Sequence, residues 1–201
     1  MRTFITADPH FAREGENTVG RPFANAWEMS KWLLEQYNSQ MNRNDRFIIV
    51  GDFSFRDAAY FRQKLVCRNI MLILGNHDKR QNSYDVFGRL NVREQYDTKI
   101  CGHPTFFSHY PTLYWPKSHY GSFHGYGHVH DQRSGTIEAA FPGIRAMDVG
   151  PDSIKRLFGD YRAISDQEFY DLLIARPGHD PVEWYQHHRG AYRKDHVQDT
   201  V

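Results

Sequence analysis

The sequence predicts an α/β fold, and two observations support this prediction. Short apolar runs typical of buried strands alternate with segments whose apolar residues recur at the helical period. Several of these strands are followed, within one or two positions, by a polar residue that can bind a metal ion. Ligand sites of open α/β sheets lie at the carboxyl ends of the strands, so both observations indicate the same architecture.

The predicted strands are short and mostly apolar. The segment 70–74 is apolar throughout, which is typical of a strand buried on both faces. Cys101-Gly102-His103 has the composition of a hairpin turn between two neighbouring strands. We predict strands at 2–7, 45–50, 70–74, 97–100, 105–108 and 145–149.

The first predicted helix begins at Asn25, which is a plausible N-cap with Glu28 three residues later as the second half of a capping box. Five apolar residues then recur at helical spacing, and we expect all of them in the core: Trp27, Leu33, Leu34, Tyr37 and Met41. A second helix is predicted at 57–67. Ser165 and Glu168 form another capping box, and the helix that they open is stopped by Pro177.

Length and composition predict one globular domain. The chain has 201 residues, of which 40% are hydrophobic and 24% are charged. We place the domain at 1–175 and a polar, histidine-rich C-terminal tail at 176–201. The histidines of this tail lack acidic or cysteine partners at ligand spacing, so a solvated segment is favoured over a metal site; they are His179, His187, His188 and His196.

The expected location is the cytoplasm. The longest apolar runs are far too short to cross a membrane, and the N-terminus reads as a strand rather than a signal peptide. Cys67 and Cys101 lack metal or redox spacing and are expected as reduced thiols. A net charge of +1 without a basic block argues against a dedicated nucleic-acid surface, although it does not exclude nucleotides. The oligomeric state is not predicted.

Several short motifs follow one another along the chain and supply seven side chains suited to two divalent metal ions. At average residue usage, Gly-Asn-His-Asp arises by chance in roughly one chain of this length in a thousand. The motifs are Asp8-Pro9-His10, Gly51-Asp52, Gly75-Asn76-His77-Asp78, the lone His109, and Gly127-His128-Val129-His130.

The ligand types restrict the metal. Carboxylate oxygens, an amide oxygen and neutral imidazoles, without a thiolate, suit manganese, iron, cobalt, nickel or zinc. An all-oxygen magnesium or calcium cage is disfavoured. Among these ions we expect manganese first, with two ions bound per chain.

The motifs resemble those of the calcineurin-like metallophosphoesterase superfamily, over a region that runs from Met1 to about Gly150. Four segments are similar to its small single-domain bacterial and phage phosphoesterases: Thr6-Ala7-Asp8-Pro9-His10-Phe11, Arg21-Pro22-Phe23, Gly51-Asp52-Phe53 and Ser108-His109-Tyr110-Pro111. The resemblance implies a four-layer α/β/β/α sandwich that hydrolyses a phosphoester by attack of a metal-bound hydroxide.

The resemblance also implies a role for each motif residue. Asp52 would bridge two ions about 3.5 to 4 Å apart, a separation at which both can clamp a phosphoryl group. The first ion would be held by Asp8, His10, Asp52 and His130, and the second by Asp52, Asn76, His109 and His128. The catalytic residues would be His77, as general acid or transition-state stabiliser, and its acidic neighbour Asp78.

Charge explains why a phosphoester is the expected substrate. Two divalent ions bring a charge of +4, and Asp8 and Asp52 are the only carboxylates among the ligands, so the site keeps about +2. This residual charge favours an anion. Positioning and charge neutralisation account for most of the catalysis of phosphoryl transfer.

Departures from related families limit the substrate. Protein phosphatases of this superfamily read Gly-Asp-x-x-Asp-Arg-Gly, and here Phe55 replaces the second Asp, although Arg56 matches; a Ser/Thr protein phosphatase is therefore disfavoured. The small phosphoesterases usually read His-Phe-Gly-His, and Arg13 takes the last position. Arg13, Arg56 and Arg80 are candidate phosphate clamps, or alternatively solvated surface charges.

The segment 110–123 is long and aromatic and follows His109 directly. It is either a lid that stacks on an organic group, through Tyr114, Trp115 and His119, or plain packing over the sheet. With the lid, we expect a small phosphodiester as substrate, including a nucleotide-like one. The alternatives are a general phosphomonoesterase and an inactive protein-binding scaffold, although a scaffold would be expected to have lost metal ligands.

Overall fold

A computed structural model of the chain describes residues 1–13, 18–132, 141 and 143–178. The first of its two sheets has the strand order β4-β3-β2-β1-β9. Four of its strands are parallel, and the short β9 is antiparallel to β1. The bounds are β1 Thr3–Thr6, β2 Arg46–Val50, β3 Asn69–Ile73, β4 Val92–Arg93 and β9 Ile164–Ser165.

The second sheet has the strand order β5-β6-β7-β8. Its strands are β5 Gln95–Ile100, β6 His103–Ser108, β7 Phe123–Tyr126 and β8 Ala146–Asp148. The predicted hairpin is confirmed: β5 and β6 are antiparallel, and Cys101 and Gly102 form the turn with φ of 48° and 79°. Both values are positive, as a two-residue type I′ turn requires. The pairs β6–β7 and β7–β8 are parallel.

The described residues form five α-helices: α1 Ala26–Gln40, α2 Ala58–Lys64, α3 Arg80–Phe87, α4 Pro151–Phe158 and α5 Asp166–Ile174. The Asn25 cap is confirmed, because its side chain accepts the N–H of Glu28 at 2.9 Å. The capping box of Ser165 and Glu168 is confirmed in both directions. The helices α3 and α4 were not among the predicted elements.

The alternation of side chains on β2 divides the core. Phe47 and Ile49 face α1 and the other N-terminal helices, whereas Ile48 and Val50 face the second sheet. On the far side of the second sheet, Phe106 packs with other apolar residues in a third cluster. Helices and two stacked sheets thus confirm the predicted α/β sandwich.

Trp27 corrects one expectation about the core. It was predicted to be buried with the rest of its helical stripe, but it is 49% exposed. The reason lies in its partners: the ring packs at 6.0 Å against Tyr60 and at 5.8 Å against Phe61, and Tyr60 is itself exposed on the short α2. Leu33 and Tyr37, about two and three turns further along, are fully buried.

The first residues of the predicted tail contact the domain. Arg176 donates from Nη1 to the carbonyl of Ile144 at 3.1 Å, and the N–H of Gly178 donates to the carbonyl of Gly143 at 2.9 Å. The four tail histidines lie outside the described residues. Within the part of the chain that the structure describes, each helix is too short or too polar to cross a membrane.

Candidate metal centre

Metal-competent side chains collect at one rim of the stacked sheets, as the sequence predicted. Asp8 follows β1, Asp52 follows β2 and Asn76 follows β3, and these three strands are parallel neighbours. His109 follows β6 and His128 follows β7, which are parallel in the second sheet. Because parallel strands end at the same edge, each sheet brings its ligands together, and the stacking of the sheets joins the two groups.

The backbone of the predicted ligands is strained. Left-handed φ values between 48° and 72° occur at Asp8, His10, Asp52, His128 and His130. A residue other than glycine in this region costs on the order of 1–3 kcal/mol and persists only where the surroundings impose it. Such strain concentrates at functional sites, so its coincidence with five predicted ligands indicates a site built for precise geometry.

Two glycines allow the carboxylates to approach the backbone closely. A Cβ on Gly75 would lie 2.2 Å from Oδ1 of Asp52, and a Cβ on Gly127 would lie 2.3 Å from Oδ2 of Asp8. Any other residue would push these side chains out of place. The first glycines of the Gly-Asn-His-Asp and Gly-His-Val-His motifs therefore leave the space that the carboxylates of Asp52 and Asp8 occupy.

The first cluster of ligand atoms surrounds His10. Its Nε2 lies 3.1 Å from Nε2 of His130, and 3.7 Å from both Oδ1 of Asp8 and Oδ2 of Asp52. Atoms bound to one ion at about 2.0–2.2 Å lie roughly 3–4 Å from one another. These four side chains therefore fit a single ion, and they are the set that the resemblance assigns to the first ion.

The second cluster surrounds His109. Its Nε2 lies 2.9 Å from Oδ1 of Asn76 and 3.6 Å from Oδ2 of Asp52, and the same Asn76 oxygen lies 3.1 Å from Nδ1 of His128. The separations again fit one ion. Asp52 Oδ2 thus lies within 3.7 Å of a histidine nitrogen of each cluster, which is the place of a bridging ligand.

The carboxylates are oriented by backbone groups. Asp8 Oδ2 accepts the N–H of His128 at 2.7 Å, and Asp52 Oδ1 accepts the N–H of His77 at 2.8 Å. Asp8 Oδ1 is buried and has no hydrogen-bond partner among the described residues. An unsatisfied buried carboxylate oxygen is costly, and a bound cation would satisfy it. The residues present therefore fit a divalent metal ion.

Burial shifts the pKa values of the candidate ligands towards their neutral forms. It raises the pKa of Asp8 well above its usual value, and the negative charges of Asp148 and Asp52 add to this effect. Burial also lowers the pKa values of His10 and His109. Histidine binds metals in its neutral form, and the lowered pKa values of His10 and His109 favour that form.

His130 is held by a contact with Asp152 and Arg21 that the sequence analysis did not predict. Its Nδ1 lies 3.3 Å from Oδ2 of Asp152, and Arg21 donates two hydrogen bonds of 2.8 Å to the same carboxylate. Arg21 is buried and also donates to the carbonyls of Asp8 at 3.0 Å and Pro9 at 3.4 Å. The network joins two of the loops that carry ligands of the first cluster, the loop of Asp8 and His10 and the loop of His130.

The Arg21–Asp152 ion pair keeps Asp152 ionised. Burial alone would raise the pKa of Asp152, but the hydrogen bonds from Arg21 and His130 lower it below the usual range. An ionised Asp152 accepts a hydrogen bond from the Nδ1–H group of His130, and this leaves Nε2 as the ligand atom. The Arg-Pro-Phe motif marked Arg21, but no local pattern connects it to a residue 131 positions away.

Asp78 holds two ligand loops together. Its carboxylate accepts the N–H groups of Asp52 at 2.8 Å, Phe53 at 3.0 Å and Gly75 at 2.9 Å. Burial raises its pKa to about 6. The sequence placed Asp78 beside His77 as a catalytic residue; in the structure its oxygens are occupied by the backbone, which gives it a positioning role.

His77 lies at the exposed edge of the metal-ligand clusters. Its ring packs at 4.6 Å against Phe55 and at 5.8 Å from His10. The Arg13 guanidinium also lies over Phe55, at 5.1 Å. Phe55, which stands where the protein phosphatases have an acidic residue, packs against His10 at 5.4 Å as well as against His77 and Arg13. His77 thus lies next to the candidate ligand His10, and Arg13 contacts the same phenyl ring as His77.

The other candidate arginines lie in different places. Arg56 is exposed and lines a cavity of about 440 Å³ together with Phe55 and His77. Arg80 is exposed as well, but it forms an ion pair with Glu94. Its charge is therefore already compensated, which favours the surface alternative for Arg80.

The aromatic segment after His109 divides into two parts. Tyr114 is 51% exposed and lines a cavity of about 430 Å³ with His109 and Tyr110. Tyr110 packs at 4.5 Å from His128 and 5.1 Å from His109. Trp115 instead is buried and donates from Nε1 to Ser122, which favours the packing alternative for this residue.

His119, the last of the suggested substrate contacts, lies on the exposed surface. Its ring packs at 4.1 Å against Tyr120, and neither residue is among those that line the two cavities beside the clusters. The structure therefore does not bring His119 together with Tyr114 in the cavity.

A comparison with protein families decides the membership of this chain. The family described as calcineurin-like phosphoesterase matches residues 1–199. The chain belongs to this family. Membership in the calcineurin-like phosphoesterases implies divalent metal ions and supports metal-dependent hydrolysis of a phosphoester, and the two ligand clusters supply the residues for the ions.

One solved structure supports the fold of this calcineurin-like phosphoesterase. A protein of unknown function from Aquifex aeolicus, AQ665, superimposes with a TM-score of 0.66 at 20% identity, covering 85% of this chain and 98% of its own. Vps29 from Chaetomium thermophilum matches with a TM-score of 0.41 at 7% identity, covering 76% and 70%. No curated protein matches the chain in sequence.

Proposed function

We propose that this protein is a dinuclear metal-dependent phosphodiesterase that acts on small, nucleotide-like phosphodiesters. The observation that carries the dinuclear site is the position of Asp52, whose Oδ2 lies 3.7 Å from His10 Nε2 and 3.6 Å from His109 Nε2. A carboxylate in that place serves both clusters. We propose manganese as the ion, and a cytoplasmic location in which Cys67 and Cys101 remain free thiols.

The bound ions, His77 and Asp78 would have different roles in hydrolysis. When bound, two divalent ions would neutralise the phosphoryl oxygens and activate a water molecule. His77 would donate a proton to the leaving oxygen, since its exposed ring lies beside the ligand His10. Asp78 holds the loops of Asp52 and Asn76 in register through its three backbone hydrogen bonds.

The preference for a diester rests on the cavity beside His109. A volume of about 430 Å³ lined by Tyr110, Tyr114 and Phe106 has room and aromatic surface for an organic substituent. Such a substituent is the second arm of a diester. Contacts to this arm must supply the preference, because a site of positive charge by itself attracts a dianionic monoester more strongly than a monoanionic diester.

A general phosphomonoesterase is the second candidate, and that charge argument favours it. The inactive scaffold is less well supported, because all seven predicted ligand side chains are present and their atoms lie at metal-binding separations. Hydrolysis by the manganese-loaded protein of matched aryl phosphomonoesters, phosphodiesters and pyrophosphates separates these three candidates.

Tyr114→Ala tests the origin of the preference. We expect it to lower kcat/KM for an aryl diester about tenfold while lowering that for the matching monoester much less, because only the diester has an arm beside Tyr114. Tyr120→Ala is the matched control, since Tyr120 is 80% exposed in the same segment and does not line the cavity. Equal losses for both substrates, or a wild-type preference for the monoester, would contradict the diester proposal.

A further inference from the structure

His77 differs from two of the ligand histidines in how its ring is held. Nδ1 of His109 lies 3.2 Å from a backbone carbonyl oxygen, and Nδ1 of His130 lies 3.3 Å from the carboxylate of Asp152. Such a partner sets the orientation of a histidine ring. The imidazole of His77 makes no hydrogen bond with the part of the chain that the structure describes. The orientation of the His77 ring therefore depends on packing.

Phe55 provides the closest ring contact of His77. The two ring centroids are 4.6 Å apart, and the ring planes are inclined by 40°. The ring of His10 is further away, at 5.8 Å, and makes an edge contact. Ring pairs at these separations attract each other in preferred orientations. Because His77 is otherwise exposed, the contact with Phe55 restricts the rotation of its ring.

Phe55 is itself fixed to the loops that carry the ligands. Its ring stacks on the buried ligand His10, with centroids 5.4 Å apart and an angle of 26° between the planes. Its N–H donates to the carbonyl of Phe11 at 2.9 Å, and the N–H of Phe11 donates to the carbonyl of Phe53 at 3.0 Å. These bonds join the segment after Asp52 to the segment after His10. The Phe55 ring thus has a set position relative to the first cluster.

We infer that Phe55 is the positioning residue of His77, and that its ring holds the imidazole where it can donate a proton to the leaving oxygen. This inference rests on the proposed function. Water supplies a hydroxyl group to phosphorus and releases a proton, and the bond between phosphorus and the leaving oxygen breaks. The leaving oxygen takes the proton of His77, which the released proton replaces. Such a step depends on placement, since a shift of about 1 Å costs on the order of 100-fold in rate.

The test must separate His77 from Arg13, because the Arg13 guanidinium lies over the same ring at 5.1 Å. A contact between an arginine and the phosphoryl oxygens is made whatever the leaving group is. Proton donation matters only for leaving groups that are too basic to depart without a proton. The dependence of kcat on the leaving group therefore distinguishes an effect through His77 from an effect through Arg13.

Phe55→Leu keeps an apolar side chain and removes the ring. On aryl phosphoesters of graded leaving-group pKa, the manganese-loaded variant should lose about 10–100-fold in kcat with the poorest leaving group and less than about threefold with the most acidic one. Phe55→Tyr retains the ring and should stay within about threefold of wild type throughout. A loss in Phe55→Leu that is equal for all leaving groups would overturn the inference.

Phe158→Leu is the matched control. Phe158 is also a partly exposed phenylalanine with an arginine over its ring, here Arg162 at 4.4 Å. It lies outside the two grooves that border the metal-ligand clusters, which are the cavities lined by Tyr114 and by His77. Its replacement should leave kcat unchanged for every leaving group.

The same substitution in the His77→Ala background shows whether Phe55 acts through His77. In that background Phe55→Leu should change kcat by less than about twofold, because no imidazole is left to be placed. An equal loss in both backgrounds would overturn the inference. Elemental analysis of Phe55→Leu should show the manganese content of wild type, and a lower content would also overturn it, since Phe55 would then act through the ligand His10.

A measurement without catalysis keeps failure of this inference distinct from failure of the proposed function. In the zinc-loaded protein, carbon relaxation of the His77 ring should show more ring motion in Phe55→Leu than in wild type and Phe55→Tyr. Equal ring order in all three proteins would overturn the positioning role and leave the phosphoesterase intact. Inactivity of the wild type on every phosphoester would instead contradict the proposed function, and the ring order would still decide whether Phe55 fixes His77.

Discussion

The metal-ligand clusters and the grooves that border them are built in opposite ways. Asp8, His10, Asp52 and His109 are each at most 2% exposed, and their orientations are set by backbone hydrogen bonds and strained φ values. His77 and the groove residues such as Tyr114 are exposed. The buried part fixes where metals bind, whereas the exposed part is free to select among phosphoesters. Substitutions in the two parts should therefore separate metal binding from catalysis.

The largest effect is expected where the two clusters meet. Asp52→Asn weakens a ligand common to both clusters and removes one of two ligand carboxylates, so metal content and hydrolysis should fall together to background. Elemental analysis and a phosphodiester assay measure the two quantities. Asp85→Asn makes the same chemical change on the exposed face of α3 and should leave both unchanged. Full metal content in Asp52→Asn would contradict the shared position of this residue.

His77→Ala should separate catalysis from metal binding. The variant should keep its metal and lose a factor of about 10²–10⁴ in kcat for substrates with poor leaving groups, because proton donation to the leaving oxygen is removed. The loss should be smallest for acidic leaving groups, which need no proton. An empty metal site in His77→Ala, or undiminished activity on a poor leaving group, would contradict the assignment of His77 to the exposed, catalytic side.

Asp152→Asn tests the support behind the first cluster. The amide cannot accept as the carboxylate does from both His130 and Arg21, so His130 loses the partner that sets its tautomer. Removal of such an outer partner typically costs 10–100-fold in metal affinity. Titration calorimetry measures the affinity, and the nitrogen chemical shifts of His130 report the tautomer. An unchanged affinity with an unchanged tautomer would show that the network is not needed.

His124 provides a contrast from outside the site. Burial lowers its pKa to about 4, so the folded protein holds this histidine neutral while the unfolded chain protonates near 6.5. Its contribution to stability is complete above pH 6.5 and is lost as pH falls towards 4, which amounts to about 3 kcal/mol.

His124→Phe should reduce the acid sensitivity of folding without affecting catalysis. Urea unfolding at pH 7 and pH 4.5 should show a smaller loss of stability in the variant than in wild type. The lowered pKa values of His10 and His109 add acid sensitivity to both proteins, so the difference between the two proteins isolates His124. An identical pH dependence would contradict a neutral, buried His124.

The sequence predicted that the candidate ligands come together, because they follow strands in a fixed order. Asp8, Asp52 and Asn76 come one or two positions after apolar segments, and parallel strands place such residues at one edge whatever the details of the loops. The capping residues Asn25 and Ser165 were equally clear, since a cap is decided within four residues.

What the sequence missed depends on distant or three-dimensional neighbours. The pairing of Arg21 with Asp152 spans 131 positions, and no periodic pattern encodes it. Trp27 was predicted to be buried, but it is exposed beside Tyr60. Trp115 was a candidate substrate contact, but it is buried and hydrogen-bonded to Ser122. Helical spacing indicates which face is apolar, but the size of the neighbouring element decides how much of that face is covered.

Metal stoichiometry tests the central claim most directly. Purified wild-type protein, stripped of metal and titrated with manganese, should saturate at about two ions per chain, because Asp52 Oδ2 lies within reach of ligand nitrogens on both sides. Calorimetry and elemental analysis of the same sample give the number independently. Saturation near one ion per chain would contradict the dinuclear site.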